Sequence, residues 1–121
     1  MGFDITGQKF IVTGAAKGIG LAISQRLSQL GAEVAGWDLE KDLMSTEPAF
    51  KFTTKVDVTD EVSVQSATEV TIQKLGGLHG LIANAGINGP TKPSWEYTLA
   101  EWEQVMKVDL TGVILTTRAV L

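Results

Sequence analysis

The sequence predicts an α/β fold in which a parallel sheet is covered by helices on both faces, the doubly wound arrangement. Short apolar runs alternate along the chain with longer segments whose apolar residues recur at helical spacing. The connections between these runs are long enough for the crossovers that parallel strands need, and right-handed crossovers place helices against the sheet. The 121 residues, 44% hydrophobic and 20% charged, suit one globular domain over residues 1–121.

The predicted strands are short and apolar. They lie at residues 9–12, 33–37, 50–56 and 80–84. The second and third are each followed by an acid, Asp38 and Asp57, and the fourth ends at Asn84 and runs into Ala85-Gly86. About four strands are therefore expected in one parallel sheet.

Three helices are expected between and after these strands, over residues 19–30, 59–75 and 98–121. Thr59 is the expected N-cap of the second helix, with acids in its first turn. Thr98 begins the third with a capping box. The side of the second helix expected to face the sheet consists of Val62, Ala67, Val70 and Leu75.

Composition excludes several classes of function. The formal net charge is −4, so no basic surface is expected to attract nucleic acid or a membrane. The chain has no cysteine, which excludes disulfides and thiol chemistry and favours a cytoplasmic setting. The N-terminus lacks the pattern of a signal peptide, and no residues have the spacing of metal ligands. His79 is expected at the surface, and Trp95, Tyr97 and Trp102 are expected to serve as packing anchors.

The turn from Thr13 to Gly20 joins the first strand to the first helix and contains three spaced glycines. Gly14 permits a tight turn, and Gly20 lets the helix pack closely on the strand. Gly18 has no Cβ to obstruct a diphosphate, which the unpaired N–H groups of the helix N-terminus can bind. The pattern predicts a phosphate-binding turn, although glycine-rich turns also serve as plain connections.

Four separated motifs together resemble the short-chain dehydrogenase/reductase family, whose members bind a nicotinamide dinucleotide on a Rossmann fold. They are the turn at 13–20, Asp38 at the end of the second strand, Asp57-Val58, and Ala83-Asn84-Ala85-Gly86, where alanine replaces the family's first asparagine. The resemblance implies that the cofactor is bound by Thr13, Gly14, Lys17, Gly18, Ile19, Gly20, Asp38, Leu39, Asp57, Val58, Asn84, Ala85, Gly86 and Val108. Asp57 would accept a hydrogen bond from the adenine amino group, although an Asp at this place is also an ordinary turn residue. Asn84 would brace the strand ends.

Two residues bear in opposite directions on the identity of the cofactor. Asp38 can accept both ribose hydroxyls of NAD and would repel the 2′-phosphate of NADP. Lys17 could pair with that phosphate, as a cation there does in NADP-using members of the family. The repulsion between the 2′-phosphate and a partly desolvated carboxylate outweighs the attraction of that phosphate to an exposed lysine, which solvent screens. The sequence therefore favours NAD over NADP.

Asp109 stands where the resemblance places an asparagine of the family's catalytic set, one that helps hold the water of a proton relay. An aspartate of the same shape accepts hydrogen bonds but cannot donate as the amide does. Its position among Trp102, Val105, Met106 and Val113 suggests an inward carboxylate that needs partners. The alternative is a residue at the helix edge, in solvent.

The resemblance covers the cofactor-binding part of the family's domain. The family's Tyr-x-x-x-Lys pair is not found, because Tyr97, the only tyrosine, is followed four residues later by Glu101. The chain is therefore expected to be a fragment or a truncated product, lacking the C-terminal side of the domain. An isolated chain of this kind is expected to be poorly stable or to self-associate, because a sheet edge and apolar helix faces would be bare.

The resemblance implies an NAD(P)-dependent oxidoreductase that moves hydride between a nicotinamide cofactor and an alcohol/carbonyl substrate. Full-length members commonly form homo-oligomers, so a homo-oligomer is expected. One alternative is a dinucleotide-binding or assembly module without catalysis of its own. Another is a Rossmann-like domain that serves a different nucleotide.

Overall fold

One parallel sheet forms the centre of the fold in the computed structural model, which describes residues 3–121. Its strands are β1 (Lys9–Thr13), β2 (Glu33–Asp38), β3 (Phe50–Lys55) and β4 (Gly80–Ile82), in the order β3-β2-β1-β4. The chain moves outward from β1 to β3 and then returns to pair β4 with the other side of β1. The crevice outside the carboxyl ends of β1 and β4 is where open α/β sheets bind ligands.

Alternate residues of the strands face two separate apolar layers, so the α/β doubly wound prediction is confirmed. Ile11 and Ala35 belong to the layer beneath α2 (Glu61–Leu75) and the last helix. Val12 and Val34, their immediate neighbours in sequence, belong to the layer beneath α1 (Gly18–Gln29). This alternation arises from the two-residue period of a strand with both faces covered.

Helix α2 buries only part of the set that the sequence predicts, since Ala67 and Leu75 are buried as expected. Val62 and Val70 are 70% and 40% exposed, so their expected place on the sheet side is wrong. The buried side is Val64, Ala67, Thr68, Thr71 and Leu75. Threonine is accommodated there because each hydroxyl has a partner: Thr68 donates to the Val64 carbonyl, and the Trp37 indole N–H donates to Thr71 Oγ1 at 3.0 Å.

The N-cap of α2 is Asp60, not Thr59 as the sequence predicts. Asp60 accepts hydrogen bonds from the backbone N–H groups of Val62 and Ser63. The Thr59 hydroxyl is already used, because it donates to Asp57 Oδ1. Asp60, the next residue along the chain and a better acceptor than threonine, therefore caps the helix.

The last helix is interrupted where the sequence predicts a continuous one. It consists of α3 (Leu99–Met106), a π-helical turn (Lys107–Thr111) and α4 (Gly112–Val120). The extra residue of a π turn rotates the helical turns after it, and Thr116 is the threonine that α4 buries. Thr98 caps α3 as predicted, its hydroxyl accepting from the Glu101 N–H.

The tryptophans near this helix do not pack as expected, since Trp95 is 84% and Trp102 56% exposed. Short 3₁₀ turns occupy Lys41–Met44 and Ser94–Glu96. Over residues 3–121, no helix is both long enough and apolar enough to cross a membrane.

Candidate cofactor site

The turn from Thr13 to Gly20 packs so tightly that two of its glycines have no room for a side chain. A Cβ on Gly20 would lie 2.2 Å from the Gly14 carbonyl oxygen and 2.5 Å from the Asn84 amide nitrogen. A Cβ on Gly14 would lie 2.9 Å from Ala85 Cα. Gly14 and Gly20 therefore serve the contact between β1, α1 and the end of β4.

Gly18 differs from these two glycines because it faces open space. Its φ is +60°, and a Cβ there would meet nothing within 4 Å. The sequence predicts that a diphosphate approaches this position, and the space over it is unobstructed. Gly18 also begins α1, where within residues 3–121 no side chain caps the first N–H groups, which leaves them available to an anion. Ile19, next along the helix, is 73% exposed beside this space.

Asn84 and Thr13 join the ends of β4 and β1. The Asn84 side-chain amide donates to the Thr13 and Gly14 carbonyl oxygens, at 3.1 and 3.2 Å. In return, the backbone N–H groups of Asn84 and Ala85 both donate to Thr13 Oγ1, each at 2.9 Å. Thr13 is only 2% exposed, so these bonds are largely sheltered from water. The crossed pattern fixes the edge of the crevice.

Replacing Thr13 with valine should destabilise the protein by about 1–2 kcal/mol, because two partly buried N–H groups lose their acceptor. Thr13→Ser keeps the hydroxyl and is the matched control. Urea unfolding of the two variants measures the difference. Equal stability of the valine and serine variants would show that the hydroxyl does not hold the strand ends.

Asp38 reaches across from the end of β2 to the glycine turn. Its Oδ2 accepts from the Ala16 N–H at 3.0 Å and its Oδ1 accepts from the Glu40 N–H at 2.9 Å. The carboxylate is therefore held in one orientation beside the turn, half-buried. A surface groove of about 410 Å³ adjoins it, lined by Leu39, Glu40, Lys41, Asp42, Leu43 and Lys55.

Lys17 does not stand free at the turn. Its ammonium lies 3.0 Å from a carboxylate oxygen of Glu40, and both side chains are largely exposed. Glu40 lies beside the candidate site, and sequence reasoning missed it. The available signal was its place two residues beyond Asp38, opposite the lysine of the glycine turn.

Asp57 and Val58 are placed at the end of β3. Asp57 Oδ1 accepts from both the hydroxyl and the N–H of Thr59, and these bonds lower the pKa of the Asp57 carboxyl. These contacts are those of a turn-forming aspartate. Val58 is buried, and its Cγ2 would lie 2.8 Å from a Cβ on Gly112, so it packs against the start of α4.

Asp109 lies on the π turn and is exposed, so it is not a carboxylate pointing into a buried apolar face. It nevertheless has a specific partner, since its Oδ1 accepts from the Ile87 N–H at 2.8 Å. The same oxygen would lie 3.3 Å from a Cβ on Gly86. Asp109 thus fixes the chain just after Asn84-Ala85-Gly86. Val108 beside it is half-buried.

The loop after β4 is held by one side-chain contact within it and by an ion pair with α3. The Tyr97 hydroxyl donates to the Pro90 carbonyl, and Lys92 pairs with Glu101 at 2.7 Å. That pairing lowers the pKa of Glu101. The only tyrosine of the chain is therefore engaged within this loop.

The arrangement suits a nucleotide with a diphosphate and a ribose. It combines an unobstructed helix N-terminus at Gly18, a carboxylate fixed beside it, and the braced ends of β1 and β4. His79 lies outside this edge; it is exposed, and its Nδ1 accepts from the Lys9 N–H.

Comparisons with known proteins agree with this geometry. The 2-dehydro-3-deoxy-L-rhamnonate dehydrogenase (NAD(+)) of Sphingomonas sp. (strain SKA58) is 35% identical over 118 residues, covering 95% of this chain and 47% of that protein. The crystal structure of levodione reductase matches with a TM-score of 0.87 at 30% identity, over 96% of this chain and 48% of that one. The structure of 3-ketoacyl-(acyl-carrier-protein) reductase from Brucella melitensis complexed with NADH matches with a TM-score of 0.89 at 27% identity, over 94% and 48%.

The chain spans about half the length of the curated relatives it matches. The sequence profile of the family described as short chain dehydrogenase matches residues 8–121, nearly the whole chain. This match includes the glycine turn, Asp38 and Asn84, the residues that shape the edge of the crevice. The chain therefore belongs to the short-chain dehydrogenase family of oxidoreductases.

Proposed function

We propose that this chain forms the cofactor-binding part of an oxidoreductase that transfers hydride between NAD and an alcohol/carbonyl substrate. The observation that carries the proposal is the Asp38 carboxylate, held by the Ala16 N–H beside the open Gly18 position. A fixed carboxylate at this place accepts hydrogen bonds from ribose hydroxyls and disfavours a 2′-phosphate. The name of the Sphingomonas relative specifies NAD(+), and the Brucella structure contains NADH, which supports the same choice.

Each part of the dinucleotide would have its own group of residues. The first N–H groups of α1, around Gly18 and Ile19, would bind the diphosphate. Asp38 would hold the adenine ribose, with Leu39 and Val58 beside the adenine and Asp57 accepting from its amino group. The remaining contacts, on the nicotinamide side, would come from Asn84, Ala85, Gly86 and Val108.

Asp109 would act on this site through the backbone. Its hydrogen bond with the Ile87 N–H fixes the segment after Gly86, on which the reacting half of the cofactor would rest. The bound nicotinamide supplies the hydride chemistry. An aspartate carboxylate accepts hydrogen bonds and cannot donate as an amide does, so its contribution here is acceptance from the Ile87 N–H.

The partners proposed for the whole protein are a small alcohol or carbonyl compound and a second copy of itself. The loop tied down by Tyr97 and Lys92 would form one wall of the substrate pocket. Self-association is supported by the apolar side chains that the last helix exposes, among them Trp102 and Ile114, which are 56% and 55% accessible.

Replacing Asp38 with alanine should change the ratio of the NADPH and NADH dissociation constants by about tenfold in favour of NADPH, because a charged acceptor is lost and a repulsion removed. Both dinucleotides would bind at the same turn, so loss of the Ala16 contact should weaken the binding of both. The ratio of their dissociation constants therefore reports the effect of the carboxylate itself. Fluorescence titration of NADH and NADPH against the protein carrying this chain makes the measurement. Equal affinity of the unaltered protein for the two cofactors would contradict the preference for NAD, and no binding of either would contradict the function.

A further inference from the structure

The segment just beyond Asp38 places a second carboxylate beside the glycine turn. Glu40 Oε2 lies 3.0 Å from the Lys17 ammonium, and the Glu40 N–H donates to Asp38 Oδ1 at 2.9 Å. Asp38 in turn accepts from the N–H of Ala16, the neighbour of Lys17. The turn and the end of β2 are therefore linked twice, once by the backbone contacts of Asp38 and once by the ion pair.

The backbone of Glu40 is fixed independently of the ion pair. Its N–H is held by Asp38, and its carbonyl accepts from the Leu43 N–H at 3.1 Å. The 3₁₀ turn next along the chain is anchored by Met44, which is 1% exposed and belongs to the layer beneath α1. Glu40 is thus presented to Lys17 from an ordered segment, so little entropy of a loop opposes the pair.

We infer that Glu40 is a specificity-determining residue that disfavours NADP by occupying Lys17. This inference rests on the proposed function, and it gives Glu40 a role in the choice between NAD and NADP that is separate from the role of Asp38. A phosphate monoester carries nearly two negative charges at neutral pH, and an unpaired ammonium on the turn is its natural partner. With Glu40 in place, a 2′-phosphate must displace that carboxylate and then lie beside it.

The ribose hydroxyl of NAD carries no charge, so NAD can bind while the Lys17–Glu40 ion pair stays intact. The pair therefore acts on the difference between the two cofactors and not on dinucleotide binding in general. The other charges that line the adjoining groove, Lys41, Asp42 and Lys55, include both signs. Removal of Glu40 would shift this balance towards a cation-rich groove that suits a phosphate.

The test compares NADH and NADPH dissociation constants for the protein carrying this chain and for Glu40→Gln, which keeps the shape and removes the charge. NADPH binding should tighten about two- to fivefold, as expected for an exposed ion pair, while NADH binding stays within about twofold. In a Lys17→Gln background, Glu40→Gln should give no such gain. The gain should also shrink at high salt, because the charges are exposed.

Asp42→Asn is the matched control, since it removes one negative charge from the same groove without touching the Lys17 pair. A gain for Asp42→Asn as large as that for Glu40→Gln would overturn the inference, because it would mark a general charge effect. An unchanged ratio in Glu40→Gln, or the same gain without Lys17, would overturn it too. If Asp38→Ala then still shifted the ratio, the proposed function would stand without this inference, whereas a protein that binds neither cofactor refutes both.

Discussion

Replacing Gly20 with alanine should destabilise the protein by about 3 kcal/mol, at the upper end of the range for overpacking. The new methyl group would lie 2.2 Å from the Gly14 carbonyl oxygen and 2.5 Å from the Asn84 amide nitrogen. The nearest of these is a backbone atom and cannot swing aside. Relief would require either α1 to move off the turn or the Gly14 carbonyl and the Asn84 amide to move away, and the second movement strains the hydrogen bond between them. Urea unfolding, followed by circular dichroism, measures the loss.

Gly18→Ala is the control for this comparison, because it adds the same methyl group two residues earlier, where nothing lies within 4 Å. Its cost should be only that of the left-handed backbone at φ +60°, about 1–2 kcal/mol. If Gly20→Ala were no less stable than Gly18→Ala, the close contact between α1 and the turn would not be what requires glycine.

Gly18→Ala should weaken NADH binding by about 30- to 100-fold, since its methyl group occupies the space that a diphosphate needs. Gly7→Ala is the matched control, because Gly7 has a φ of +75° and its Cβ would also meet nothing within 4 Å. Gly7 lies before β1, at the opposite end of that strand from the turn. The two variants thus share the backbone strain and differ in the site.

Fluorescence titration of NADH against both variants separates strain from obstruction. Similar losses of stability are expected in the two, with weakened binding in Gly18→Ala alone. Unchanged NADH affinity in Gly18→Ala would mean that the diphosphate does not pass over this residue. An equal loss of NADH affinity in Gly7→Ala would show that the weaker binding comes from reduced stability of the fold.

The sheet and the site edge were predictable because their residues are constrained locally. Strands with apolar residues on both faces, glycines at a strand-to-helix turn and an acid at the end of β2 are visible in sequence order alone. The buried side of α2 could not be predicted in this way, because it includes Thr71, whose hydroxyl accepts a hydrogen bond from Trp37, a residue 34 positions away. Hydrophobicity alone favours Val62 and Val70 over such a threonine.

The surroundings of Asp109 and Lys17 show the same limit. The π turn that carries Asp109 leaves no clear trace in the apolar spacing, so a regular helix was expected there. Its bond to Ile87 joins residues 22 positions apart, and the Lys17–Glu40 pair joins two different loops. Contacts of this kind depend on how the crossovers close, which no local pattern records.

Hydrogen exchange of the protein carrying this chain, measured by mass spectrometry with and without saturating NADH, tests most directly where the cofactor binds. The bound cofactor should slow exchange in peptides that contain Gly18–Gly20, Asp38–Leu39 and Asn84–Ile87. A second groove of about 370 Å³, lined by Gln25, Ser28, Gln29, Glu47, Pro48 and Ala49, provides the internal control, and peptides confined to residues 46–49 should not respond. Protection at residues 46–49 with none at the glycine turn, or no protection anywhere under saturation, would contradict the assignment of this edge of the sheet as the cofactor site.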